Sequence, residues 1–254
     1  MARDRSDESK QVRVRVNAVI QARTGSTRLP GKVLTDLGGT PVLDRVVAAA
    51  RAAEGVDRVV VATSTAPGDD AVAERAAAIG VPVVRGSEDD VLARFVQAVD
   101  EHPCDAVVRL TADCPLLDPA LVSLVAATWR DAPGHDYVAT TLVRTLPRGL
   151  DVELARTGAL RELAGTATGH DRIHVTSGLY GDPERFRCLG LVVAPAADDL
   201  RVTLDTADDL HALQGLVEAL GGRSDWRSVV AVLRSRPDLV ERNAHVRQKS
   251  LTEG

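Results

Sequence analysis

Aromatic residues are scarce in this chain: two Phe, two Trp and two Tyr among 254 residues. Proteins that hold single-stranded nucleic acid stack its bases on aromatic platforms, so the composition argues against that class of function. Positive charge is not in excess either, since 31 Lys and Arg face 36 Asp and Glu for a formal net charge of -5. Broad neutralisation of a phosphate backbone is therefore not expected. There are three cysteines, Cys104, Cys114 and Cys188, an odd number without C-x-x-C spacing, which excludes a disulfide framework. The six histidines have no zinc-ligand spacing with them. No apolar run approaches membrane-spanning length, and the opening MARDRSDESKQ lacks the apolar core of a signal peptide. A cytoplasmic protein with no nucleic-acid or membrane partner is expected.

What the chain does have is aliphatic. Hydrophobic residues make up 44% of it, enough for a substantial core of Val, Leu, Ile and Ala. Strand and helix signals alternate through the first half. Strands are predicted over Val14–Gln21, Arg58–Thr63, Val81–Arg85 and Ala106–Thr111, with helices over Pro41–Glu54 (capped by Thr40), Asp70–Ile79 and Glu88–Glu101 (capped by Ser87). Parallel strands need helical crossovers, so the expected fold is α/β, an open, mostly parallel, Rossmann-like sheet with helices on both faces. Further on, a helix is expected from Pro119 to Arg130, strands over Tyr137–Thr141, Cys188–Ala194 and Arg201–Thr203, and helices over Asp208–Leu220 and Asp225–Ser235. Between Leu146 and Phe186 the alternation weakens. We read one domain over 14–242 with an insertion around 142–187 that covers the site, flanked by flexible tails at 1–13 and 243–254.

The first strand runs into A-R-T-G-S-T-R-L-P-G-K, a loop with glycines at 25 and 31 and cations at Arg23, Arg28 and Lys32. Glycines let successive N–H groups point at an anion while the cations neutralise it, which is the chemistry of a phosphate-binding loop. It is not a Walker A loop, because five residues separate the glycines and Val33 follows the lysine where a hydroxyl is required. A dinucleotide G-x-G-x-x-G is also absent after this strand. Other charged blocks follow later strands, and open α/β sheets bind ligands beyond the strands' carboxyl ends. Asp113 follows the fourth strand and Asp205 a late one. Two carboxylates meeting a triphosphate suit Mg2+, whereas a helix cap is the alternative for each. Ser87 and Asp90 fit a capping box without any ligand. Arg144 and Arg148, in R-T-L-P-R-G-L-D-V-E, offer forks for a carboxylate, phosphate or phosphonate, and Asp151 lies beside them to order an arginine or bind a hydroxyl.

The blocks RTGSTRLPGK, RGSEDDVL, RLTADCPLLDP, RTLPRGLDVE, HVT and TLDTADDL fall in this order between residues 23 and 210. Together they resemble the cytidylyltransferase family that includes spore-coat polysaccharide cytidylyltransferase-like proteins and, more distantly, CMP-Kdo and CMP-sialic acid synthetases. The resemblance implies a nucleotidyltransferase fold of the GT-A-like kind, a homodimer, and transfer of CMP from CTP to an anionic small molecule with release of pyrophosphate. It implies nucleotide contacts from Ala22, Arg23, Gly25, Ser26, Thr27, Arg28, Lys32, Arg85, Ser87, Arg94, Thr111 and Ala112, with Arg23, Lys32 and Asp113 catalytic. For Arg94, a solvated helix face stays open beside a contact to the base. Asp113 and Asp205 match metal-holding aspartates; Arg144, Arg148, Asp151, Arg172 and His174 match acceptor-binding positions. One departure is Ile173, which stands where relatives carry Glu between Arg172 and His174. Two other readings of the same fold are a nucleotide-sugar glycosyltransferase, whose D-x-D motif is here Ala112-Asp113-Cys114, and a non-catalytic nucleotide-binding protein.

Overall fold

Strand β1 (Val16–Gln21) is buried along all but its last residue, as an interior strand covered on both faces must be. Its side chains alternate between two cores. Val16, Ala18 and Ile20 enter one, Val19 the other. In this computed structural model, which describes residues 14–247, β1 lies between two parallel neighbours, β2 (Arg58–Ser64) and β4 (Ala106–Thr111). The expected tail at 1–13 lies outside the described residues, as do residues 248–254 of the C-terminal one.

The sheet has seven strands in the order β3-β2-β1-β4-β6-β5-β7. β3 (Val83–Gly86) runs parallel to β2 at one edge. From β1 the chain winds outward to β2 and β3, then crosses back to β4 on the other side of β1. The β1/β4 boundary is thus a topological switch point, where the loops diverge and leave a crevice. Beyond β4 the sheet is mixed: β6 (Glu153–Arg156) is antiparallel to both β4 and β5 (Tyr137–Ala139), and β7 (Cys188–Gly190) pairs parallel with β5 at the far edge.

Helices α1 (Val42–Ala52), α2 (Asp70–Ala78), α3 (Val91–Glu101) and α4 (Pro119–Asp131) connect or flank these strands. α1 is preceded by Pro41, without a side-chain cap, so Thr40 does not cap it. α3 begins three residues later than expected, because Asp90 rather than Ser87 accepts from the helix, from Ala93 N at 2.9 Å. The stretch 146–186 contributes β6 to the sheet, followed by three short helices, α5 (Thr157–Ala164), α6 (His170–His174) and α7 (Ser177–Tyr180). The strand expected at Arg201–Thr203 is reduced to one parallel bridge between Arg201 and Arg148. Gly149 makes that approach possible: its φ is +104°, and an added Cβ would stand 2.5 Å from Thr203 N. α8 (Ala207–Leu220), α9 (Trp226–Ser235) and α10 (Pro237–Glu241) close the chain, and no described helix is long and apolar enough to cross a membrane. Asn243, at the start of the expected C-terminal tail, is buried and its amide donates to Asp209 at 2.9 Å.

Candidate active site

The loop after β1 is shaped by its own backbone and by one buried carboxylate. Ser26 N and Gly31 N both donate to Thr24 O, at 2.7 and 2.9 Å, folding the loop back on itself. Gly31, at φ +72°, leads into the single helical turn that carries Lys32. Thr24 donates through N and Oγ1 to Asp69 Oδ1, at 2.7 and 2.8 Å, while Asp69 Oδ2 accepts from Ser64 Oγ. Burial opposes the charge on Asp69, but these hydrogen bonds outweigh it and hold the carboxyl below its ordinary range. The result is a fixed loop: Arg23, Gly25, Ser26, Thr27, Arg28 and Lys32 line a cleft of about 310 Å3 with Thr111, Ala112, Asp113 and Asp205 opposite. Ala22 is buried between Gln21 and Arg23 and is not part of the cleft lining; its N–H donates to Ala62 O.

Lys32 is only 8% exposed, and its Nζ donates to Asp113 Oδ2 and to Asp205 Oδ1, 2.7 Å each. Burial disfavours the ammonium, yet the two carboxylates more than compensate and raise its pKa. Asp205 collects further cations on its second oxygen: Arg201 at 2.8 Å and Arg28 at 3.1 Å. Burial pushes its carboxyl up; Lys32, Arg201 and Arg28 hold it down, with the net shift downward. Arg201 is itself pinned by Asp209, which is fully buried and accepts from the backbone N–H of Asp205 and Thr206.

Asp113 and Asp205 also border a second, larger cleft of about 670 Å3 on the antiparallel side of β4. Arg144, Arg148, Asp151 and His174 line it together with Arg109, Glu153, Tyr180 and Thr203. Arg144 and Asp151 form a two-pronged pair, with Nη1–Oδ1 2.5 Å and Nη2–Oδ2 3.2 Å. Arg148 makes no side-chain hydrogen bond or ion pair among the described residues; burial and the nearby charges of Arg144 and Arg201 lower its pKa despite Asp151. Beneath this cleft, Glu153 accepts from Arg109, Tyr137 OH and Thr176 Oγ1. Thr111, Asp113 and Asp205 belong to both clefts, so the two volumes adjoin at the Lys32 junction.

Three expected site residues lie elsewhere. Arg85 donates to Ser64 O and Ala66 O and pairs with Asp70, tying β2 to α2. Ser87 Oγ accepts from Asp90 N, a turn contact before α3. Arg172 donates to Asp90 Oδ2, Ala164 O and Ala167 O, so its fork ties α5 and α6 to the start of α3. Arg94 is not on a solvated face. Its side chain is fully buried, and among the described residues none of its three guanidinium nitrogens has a hydrogen-bond partner. Burial, then the charge of Arg23, lowers its pKa against the attraction of Asp69, Glu88 and Asp90, and its Cγ stands 2.8 Å from where a Cβ on Gly86 would be. Ile173 is half-buried in α6, one residue before His174. Sequence reasoning missed Arg109, Glu153, Arg201 and Asp209. Arg109 and Glu153 each stood inside a matched block, but only the pairing of β4 with β6 reveals them as partners.

Comparison with known proteins agrees with this geometry. A profile of the cytidylyltransferase family matches residues 17–149. The spore coat polysaccharide biosynthesis protein SpsF of Bacillus subtilis is 33% identical over 231 residues, covering 87% of this chain and 94% of that protein. A solved cytidylyltransferase from Leptospira borgpetersenii superposes with a TM-score of 0.86 at 27% identity, covering 94% of this chain and all of the other. CMP:2-keto-3-deoxy-manno-octonic acid synthetase, solved in complex with CTP, shares the fold at TM-score 0.63 and 20% identity, with 80% and 98% covered. These matches establish that the chain belongs to the cytidylyltransferase family and is a nucleotidyltransferase, and the sheet with its switch-point crevice agrees with them.

Proposed function

We propose that this nucleotidyltransferase moves CMP from CTP, with Mg2+, to a small acceptor that bears one anionic group, releasing pyrophosphate. The observation that carries this reading is the junction of two clefts at Lys32, Asp113 and Asp205, one cleft cationic and glycine-bearing, the other walled by arginines and hydroxyls. The solved relative named for its CTP complex supports CTP as donor by analogy of fold.

In the reaction an acceptor oxygen attacks the α-phosphorus, and the bond to the β-phosphate oxygen breaks, its electron pair leaving with pyrophosphate. The protein positions the partners and neutralises charge. Arg23, Arg28 and Lys32 hold the β- and γ-phosphates, with Ser26, Thr27 and the loop N–H groups adding hydrogen bonds. An ionised acceptor needs no strong general base. Asp113 and Asp205 fit a divalent cation because both already converge on one positive charge, the Lys32 ammonium. Among the described residues no group of three His, Cys, Asp or Glu gathers, so phosphates and water complete the shell, as Mg2+ prefers. When bound, the metal makes the α-phosphorus more electrophilic. Arg94 is fully buried and lines neither cleft, so it is given no contact to the nucleotide.

The acceptor half suggests its ligand's charge. Arg109 and Arg144 are taken by Glu153 and Asp151, which leaves Arg148 as the fork for one anionic group. Thr141, Thr203, Tyr180 and His174 offer partners for hydroxyls. The test is pyrophosphate release with CTP, UTP, ATP or GTP plus Mg2+, across hydroxylated carboxylates, sugar phosphates and phosphonates. Release confined to CTP and one acceptor class supports the reading; binding of CTP without release from any acceptor counts against it.

A further inference from the structure

The point where Asp113 and Asp205 converge is taken by Lys32 Nζ, 2.7 Å from each carboxylate. An ammonium and a divalent cation cannot share it. The second oxygen of Asp205 is bound by Arg28 and Arg201. These three cations are not equivalent. Lys32 and Arg28 stand on the phosphate loop and face the nucleotide cleft. Arg28 also donates from Nη1 to Arg247 O at 3.1 Å. Arg201 is fixed from behind: Asp209 accepts from its Nε at 2.8 Å and its Nη2 at 2.9 Å, and is held in turn by Asn243 and two backbone N–H groups.

A triphosphate entering the cleft competes for Lys32 and Arg28 with up to four negative charges, against one on each aspartate. Arg201 cannot follow, because turning toward the phosphates would strand the buried charge of Asp209. We propose that Lys32 and Arg28 are built-in counter-ions that close Asp113 and Asp205 to metal until nucleotide phosphates draw them away, so that the divalent cation enters with the nucleotide. Arg201 is the positioning residue that keeps Asp205 aimed once they have left. This rests on the CTP and metal reading above and adds to it an order of binding and a reason for that order.

The experiment measures Mn2+ binding by the electron paramagnetic resonance signal of the free ion, with no turnover involved. Nucleotide-free wild type should bind Mn2+ weakly, and Lys32→Met should bind it at least about tenfold more tightly, the carboxylates having lost their internal cation. Lys32→Gln, which keeps a hydrogen-bond donor, serves if Lys32→Met fails to fold by circular dichroism. Adding Asp205→Asn to either variant should abolish the gain. CTP should raise Mn2+ retention by wild type beyond that of CTP alone in solution. Equal Mn2+ affinity in wild type and the Lys32 variants overturns the proposal. A gain in the variants with no response of wild type to CTP supports the counter-ion role and counts instead against CTP as donor.

Discussion

Arg109 and Glu153 are register partners on β4 and β6, and their side chains close into an ion pair in the wall of the larger cleft. Burial disfavours the Glu153 carboxylate, but Arg109, Tyr137 and Thr176 outweigh it and depress its pKa. Removing one member of such a pair leaves the other charge buried and uncompensated. Glu153→Gln should therefore cost about 3–5 kcal/mol in a urea or guanidinium titration. A loss below about 1 kcal/mol would mean that Arg109 finds another partner.

Asp209 gives a pH signature. Burial raises its carboxyl pKa, and Arg201, Asp205 N and Asn243 lower it by more, so the folded value lies below the unfolded one. Its stabilising contribution is then complete above about pH 4, the unfolded value, and is lost as pH falls through the lower folded value. Asp209→Asn should be less stable than wild type at neutral pH, with the gap shrinking as pH drops toward that lower value. Denaturation curves that stay parallel from pH 7 to acid would contradict the assignment.

Lys32→Ala should lower kcat/KM by about a hundredfold or more, the usual effect of losing one well-aimed charge at a reacting phosphate. The variant must first be shown to be folded by circular dichroism. Wild-type turnover in a folded variant would remove Lys32 from the phosphate site.

Arg148→Gln should raise KM for the acceptor and leave KM for CTP within about twofold, since Arg148 lines only the larger of the two clefts. Equal changes in both constants would mean that the two halves are not separable in this way.

Gly149→Ala tests the bridge between residues 148 and 201. A Cβ there would meet Thr203 N at 2.5 Å and Val202 C at 2.7 Å, on a backbone at φ +104°. The strain should cost about 1–3 kcal/mol or more, a fall in Tm of several degrees for a chain of this size. An unchanged Tm would show that the two strands can part without loss.

The parallel half of the fold was legible because its strands are apolar runs bounded by glycine, proline and capping residues, and Ala106–Thr111 matches its expected limits. That Lys32, Asp113 and Asp205 come together was legible for a related reason: each follows a strand that the pattern reveals, and strand ends converge. β6 was not. It has four residues, the first three all buried, so it shows no period-two alternation and read as part of an insertion. Glu153 was hidden with it, its partner Arg109 lying 44 positions away in another block. Arg85 and Arg172 show the reverse failure. Both were expected in the site from the family resemblance, yet their donors are used by nearby carbonyls and by Asp70 or Asp90, contacts that residue type alone cannot foretell.

Thr111, Asp113 and Asp205 form the party wall of the two clefts. On the function proposed above, a single inhibitor would span it, joining a cytidine phosphate to a small anionic acceptor mimic through a short, uncharged spacer beside Asp113. Once the first half is seated, the second meets its cleft at a high effective concentration, so two weak fragments would combine into a tight ligand. The second fragment would reach past Asp113 toward Arg148 and Tyr180.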